Sequence, residues 1–237
     1  MAKSAPSPEV AVGTAPDPVA PAVPSHPEAE EARLLSAARQ LAESCGYEAG
    51  HTHQVTRLAL ALFDALRPLH RLGRKERLWL HCGALLHDIG WIDGQQAHHK
   101  TALRTILKTP ALPFDSRQRF LVGAIARYHR KALPNAKKHA HFAALRPADR
   151  QCVRWLAALL RVADGLDRTH QDVVEEIACE VTPQRITLHC RVRLPADVER
   201  EVALAKGKLL EQVAGRELVV ECERSRESVR EEGEDAG

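Results

Sequence analysis

The chain has 237 residues, 44% of them hydrophobic, and a net charge of +3 at pH 7, which allows one large core or a medium core with a small companion. So small a surplus is no electrostatic footprint for nucleic acid; no stretch reaches the roughly 18 consecutive apolar residues of a membrane span, and the N-terminus lacks the apolar centre of a secretory signal. Six cysteines without CxxC spacing read as buried thiols of a reducing compartment, so a cytoplasmic location is expected.

Aromatics make up only 4% of the chain, and Ala, Leu and Arg carry much of the packing, so the expected fold is mainly α. Residues 1–28 alternate Pro with Ala and Val. Such a segment cannot bury enough surface to offset the entropy of ordering and is expected to be a disordered tail. EAEEARLLSAARQLAESCG reads as a helix with acids in its first turn and Gly46 as its stop.

A second helix is expected over about 48–70. Val55, Leu58 and Leu62 share one face, His51 lies within about 40° of it, and His53 points away. The third, about 74–88, carries Leu78, Leu85 and Leu86 to His87-Asp88, with Gly90 just beyond. Gly83 within it suits the close approach of another helix or a ligand. After the loop WIDGQQA, HHKTALRTIL starts a short helix at its histidine pair.

FDSRQRFLVGAIARYHRKAL follows, with Asp115 and Gln118 at capping-box spacing and Leu121, Val122 and Ile125 leading to His129. NAKKHAHF reads as a polar, flexible connection. A long helix from Pro147 runs through Val153, Leu156 and Leu160 to Asp164. Near residue 174 the pattern changes: a hairpin in EEIACEVTPQRITLHCRV, an amphipathic helix in ADVEREVALAKGKLLEQVAGR and a strand in ELVVECE make a small α/β unit. The expected division is a tail over 1–28, a helical domain over 29–172, the α/β subdomain over 173–223 and a charged tail over 224–237.

Imidazoles and carboxylates punctuate these apolar helices at His51, His87, Asp88, His99, His129 and Asp164. A metal site assembled between packed helices needs such a set. Asp88 and Asp164 close apolar helices, where a carboxylate requires a cation nearby. Arg127, Arg130 or Arg161 could serve, but arginine pairing does not account for four imidazoles. His98 can replace His99, because adjacent residues at a helix start are poorly separated by pattern, and periodicity permits Asp164 or Asp167.

GHTHQVTRLALALFDAL, LLHDIGW, HHKTALRTIL, IARYHRKALP and LAALLRVADGLDRTH together resemble the HD-type domain that lies C-terminal to the actin-like domains of the exopolyphosphatase/guanosine pentaphosphatase (Ppx/GppA) family. The likeness covers about residues 45–222. It implies an HD-type helical bundle in which His51, His87, Asp88 and Asp164 hold a divalent metal, with His99 and His129 in the places of the extra histidines of two-metal members. Asp164 is preferred to Asp167 on that resemblance. Those relatives use the actin-like domain for phosphatase chemistry. This sequence shows none before the HD segment, so independent catalysis is expected and the relatives' substrates do not carry over.

The expected function is metal-dependent hydrolysis of a nucleotide or another phosphorylated or polyphosphorylated small molecule by an activated water. Asp88 would touch metal and water and accept a proton. Lys100, Arg130 and Lys131 would bind the phosphate, Lys131 assisting catalysis by neutralising its charge. Imidazole ligands suit one or two ions of Mn, Fe, Co, Ni or Zn better than Mg. RYHRK and NAKKHAH are basic, but the scarcity of aromatics for base stacking disfavours nucleic acid; no membrane partner is expected, and a homo-oligomer is compatible with the sequence. The alternative is a non-catalytic metal- or nucleotide-binding sensor or assembly module.

Overall fold

From Trp155 to Gly165 every residue of α8 (Pro147–Gly165) is buried, so other elements must surround that half of the helix. Val153, Leu156, Ala157, Leu160 and Ala163 along it have no exposed surface. The computed structural model describes residues 26–93 and 98–224; the rest of both expected tails and the end of the WIDGQQA loop lie outside them. Around α8 pack α2 (Ala49–Ala65), α4 (Arg74–Leu85) and α6 (Ser116–Arg127). Outside these, α1 (His26–Ser44) covers α4, and α5 (His98–Lys108) lies on α6.

Several boundaries differ from expectation for local reasons. The helix expected over 48–70 breaks at Leu66 and resumes as α3 (Arg67–His70), because Pro68 has no N–H to continue the hydrogen-bond ladder. His70 seals the bend by donating from Nε2 to the Phe63 carbonyl at 2.8 Å. α4 ends at Leu85, so His87-Asp88 occupies the turn before a 3-10 segment, Ile89–Asp93. The start of α6 follows the expected capping box: Asp115 accepts from the Gln118 N–H at 2.7 Å and Gln118 Oε1 from the Asp115 N–H at 2.9 Å. The segment NAKKHAHF is not wholly irregular, since α7 (Ala140–Ala143) forms within it.

The C-terminal part is a three-stranded sheet in the order β1 (Val174–Val181), β2 (Arg185–Val192), β3 (Glu217–Arg224). The first pair is antiparallel, as a hairpin requires, and the second is parallel, which demands a crossover. That crossover is α9 (Asp197–Lys206) followed by α10 (Lys208–Ala214). One helix was expected; two form, separated at Gly207, where an added Cβ would lie 2.3 Å from Leu218 Cδ2. Ile186, Leu188, Cys190, Leu218 and Val220 face inward and join the same buried cluster as Leu34 and Leu160. α9 and α10 both pack on α8, so helices and sheet share one core. No helix among the described residues is long and apolar enough to cross a membrane.

Candidate metal centre

Helix ends supply the first two imidazoles. His87 follows α4 and His129 follows α6, and the ring of each hydrogen-bonds a carbonyl of the last helical turn. His87 Nδ1 donates to the Ala84 carbonyl at 2.7 Å and His129 Nδ1 to that of Ala126 at 2.6 Å. With Nδ1 carrying the proton, Nε2 presents its lone pair to the interior. His87 Nε2 is buried without a hydrogen-bond partner. Burial pushes His129 down to about 3, which keeps it a neutral donor.

His51 reaches the same space from the first turn of α2. Its Nδ1 lies 2.8 Å from Asp167 Oδ2, and Asp167, fully buried, is fixed in turn because its Oδ1 accepts the Asp172 N–H at 3.1 Å. His51 Nε2 then faces Asp164 Oδ1 at 3.6 Å and Asp88 Oδ2 at 3.9 Å. Burial would lower the pKa of this ring, but the Asp164 and Asp167 carboxylates outweigh it and push it up to about 9. Positive charge is therefore favoured where the carboxylates converge, as a cation site needs.

Asp88 stands at the centre. Its Oδ2 is 3.4 Å from His87 Nε2, and its Oδ1 is 3.2 Å from His98 Nε2 and 3.4 Å from His129 Nε2. Burial raises its pKa, yet the neighbouring imidazoles, His87 first and then His98 and His129, hold it well below the usual carboxylate range. Two overlapping triads result among the described residues, His51 with His87 and Asp88, and Asp88 with His98 and His129. Within each, the ligating atoms lie within 4.8 Å of one another.

Of the adjacent pair, the structure brings His98 to Asp88 and leaves His99 out. Gly90 decides this. A Cβ at Gly90 would lie 1.9 Å from the His98 carbonyl oxygen, so only glycine lets the start of α5 press against the turn that holds the doublet. Trp91 stacks on His98 with ring centroids 5.0 Å apart. His99 is one helical step away; its Nδ1 is buried without a hydrogen-bond partner, and burial and the neighbouring Arg127 lower it to about 4.

Arg161 does not pair with either acid. Its guanidinium donates to the carbonyls of Tyr128 and Lys206. Asp164 instead meets Lys206, whose Nζ donates to Oδ2. Burial raises the Asp164 pKa, and Lys206 and His51 overcome it, holding the carboxyl well below its ordinary value. Lys206 comes from the last turn of α9, which sits close because a Cβ on Gly165 would lie 2.6 Å from Ala203 Cα. Glu199 secures the same contact by accepting the Thr169 hydroxyl at 2.7 Å.

Lys206 and Glu199 were not among the residues singled out in the sequence, and Asp167 entered there only as the alternative to Asp164. His170, stacked on His51 with centroids 3.8 Å apart, was absent too. Of the residues expected to contact phosphate, Arg130 lies with Nη1 3.1 Å from His98 Nε2. Lys100 and Lys131 are exposed, with Lys131 in a left-handed backbone conformation at φ 54°.

No curated protein matches the sequence. The family described as Ppx/GppA phosphatase, domain III, matches residues 33–213, a span from the middle of α1 to α10 that takes in every residue of both triads, the pair Asp164 and Lys206, and the α9–α10 crossover. With about three quarters of its length covered by that match, the chain belongs to the Ppx/GppA phosphatase domain III family.

Proposed function

We propose that the chain is a metal-dependent phosphohydrolase of HD type, acting on a nucleotide or another phosphorylated small molecule, with two divalent ions held side by side. The observation that carries this reading is Asp88, whose two oxygens each face a different pair of imidazoles. His51, His87 and Asp164 with Asp88 Oδ2 would hold one ion, and His98 and His129 with Asp88 Oδ1 the other. The donor set fits: His87 Nε2 is a buried lone pair with no other use, and four imidazoles with two carboxylates suit Mn, Fe, Co, Ni or Zn better than Mg. Bound ions would supply Lewis acidity, making water a stronger acid and polarising a phosphoryl oxygen.

The chain's own residues orient and neutralise. Asp167 fixes the His51 tautomer, and Lys206 balances Asp164 so that only one of its oxygens faces His51. Asp88 is held so far below the carboxylate range that it suits the ligand role better than taking a proton at neutral pH. Arg130, beside His98, and the exposed Lys100 and Lys131 would meet phosphate oxygens.

The test is elemental analysis and cobalt(II) titration of tag-free protein, followed by turnover on phosphodiester and nucleotide panels. Two ions per chain and hydrolysis are expected. His98→Ala should reduce the stoichiometry to one, and His99→Ala should leave it unchanged. Metal-loaded protein that binds a nucleotide without turnover would make the chain a sensor, and protein that takes up no divalent ion would end the metal reading.

A further inference from the structure

Three cysteines lie on the inner face of the sheet, away from the metal centre, and two of them are partners. β2 and β3 run parallel with Cys190 directly opposite Cys222. Neighbouring strands are about 4.8 Å apart, inside the Cα range of about 4.4–6.8 Å that a disulfide spans. Cys179 is also on this face but pairs with Leu188, so it sits diagonally from Cys190 at about 7–8 Å, beyond that range. All six cysteines of the chain are free thiols.

The pair is unequal. Cys190 is 2% exposed, whereas Cys222 is partly open to solvent. The neighbouring Cys190 thiol and the Arg200 guanidinium on α9 draw the Cys222 pKa down against the effect of its burial. The proximity of Cys222, with burial, pushes Cys190 up. One thiol is thus accessible and disposed to ionise, and its neighbour is buried and protonated. A low-pKa, accessible thiol next to a resolving thiol is the arrangement that favours reversible oxidation.

We infer that Cys190 and Cys222 form a reversible disulfide on exposure to hydrogen peroxide, with Cys222 reacting first and Cys190 resolving. The Cys222 thiolate attacks one peroxide oxygen and breaks the O–O bond; the departing hydroxide takes a proton from solvent, leaving a sulfenic acid. The Cys190 sulfur then attacks the sulfenic sulfur, and the hydroxyl leaves with the Cys190 thiol proton as water. Two thiols give up two electrons, and one peroxide becomes two waters.

The bond would close a covalent ring around α9 and α10, the crossover that carries Lys206 to Asp164. It does not rest on the metal reading, since neither thiol touches the triads. Because the strands are already adjacent, the ring constrains the unfolded chain far more than the native one.

Native full-length protein is treated with equimolar hydrogen peroxide, blocked with iodoacetamide and digested with trypsin without reduction. The expected result is the loss of two of the six thiols and a link between peptides 186–191 and 217–224, both reversed by dithiothreitol. The oxidised form should melt higher than the reduced form by about 5–15 °C. Cys222→Ser should abolish the link, and Cys190→Ser should leave a sulfenic acid at Cys222 that dimedone traps. Six thiols surviving the treatment, or a link from 186–191 to the Cys179 peptide 169–185, would overturn the inference. Should either serine variant fail to fold, the wild-type peptide map decides alone.

Discussion

Asp167→Asn changes one atom's hydrogen-bonding sense and should cost the protein much of its affinity for metal. Asp167 Oδ1 accepts the Asp172 backbone N–H at 3.1 Å, and Oδ2 lies 2.8 Å from His51 Nδ1. An asparagine must keep its carbonyl oxygen on the Asp172 N–H, because its amide nitrogen cannot accept there. The nitrogen then faces His51 Nδ1 and donates to it. The imidazole proton moves to Nε2, the atom that points at Asp88 and Asp164, and the ligand lone pair is lost. Flipping the amide restores the ligand but opposes two donors at Asp172, at a cost of about 1–3 kcal/mol, which is a loss of roughly 5- to 150-fold in affinity at about 1.4 kcal/mol per tenfold. The unloaded protein should lose only about 1 kcal/mol, as a charge-assisted bond becomes a neutral one. Calorimetric titration with cobalt(II), paired with urea melts of both chelator-treated proteins, measures the two effects separately. An Asp167→Asn protein that binds cobalt within twofold of wild type would refute the assignment of Asp167 as the group that sets the His51 tautomer.

Three other outcomes are expected. Asp88→Ala should remove both ions together, because its oxygens serve both triads; retention of one ion would show that the two are independent. Gly165→Val should destabilise the chain by about 1–3 kcal/mol, since its Cβ would meet the Ala203 backbone, and should weaken metal binding by lifting Lys206 from Asp164; a wild-type melt and wild-type affinity would contradict this packing. Asp149 has its pKa lowered by hydrogen bonds from Arg117 and Arg146. Its contribution is therefore full above the unfolded carboxylate value of about 4 and disappears as pH falls through the depressed folded value. Urea melts from pH 6 to pH 3 should show wild type losing more stability than Asp149→Asn, and parallel curves would argue against the linkage.

Much of this architecture was legible because it is local. Val55, Leu58 and Leu62 mark the buried face of α2, and Asp115 with Gln118 mark the start of α6, through contacts three or four residues apart. The break at Leu66 was signalled by Pro68 and outweighed by the apolar pattern around it. Convergence of His51, His87, Asp88, His129 and Asp164 was foreseen from the faces they occupy. The choice of His98 over His99 was not, because it depends on where the turn at Gly90 meets the start of α5. Lys206 had no local signal at all. It stands at the end of an ordinary amphipathic helix, 42 residues beyond Asp164, and becomes part of the centre only because Gly165 admits α9.

The bond between His51 and Asp167 joins residues 116 positions apart, and Lys206 lies farther still along the chain. At translation speeds of about 5–20 residues per second, an interval of roughly 8–30 s separates the synthesis of His51 from that of Lys206. During it the nascent protein displays imidazoles without the distal carboxylate and ammonium that define their geometry. Any ion captured then would be held by a loose, wrongly ordered set of nitrogens and would obstruct the later docking of α8 and α9. Under the proposed two-ion reading loading belongs after folding, and refolding from urea should be slower with excess zinc present than with zinc added at the end.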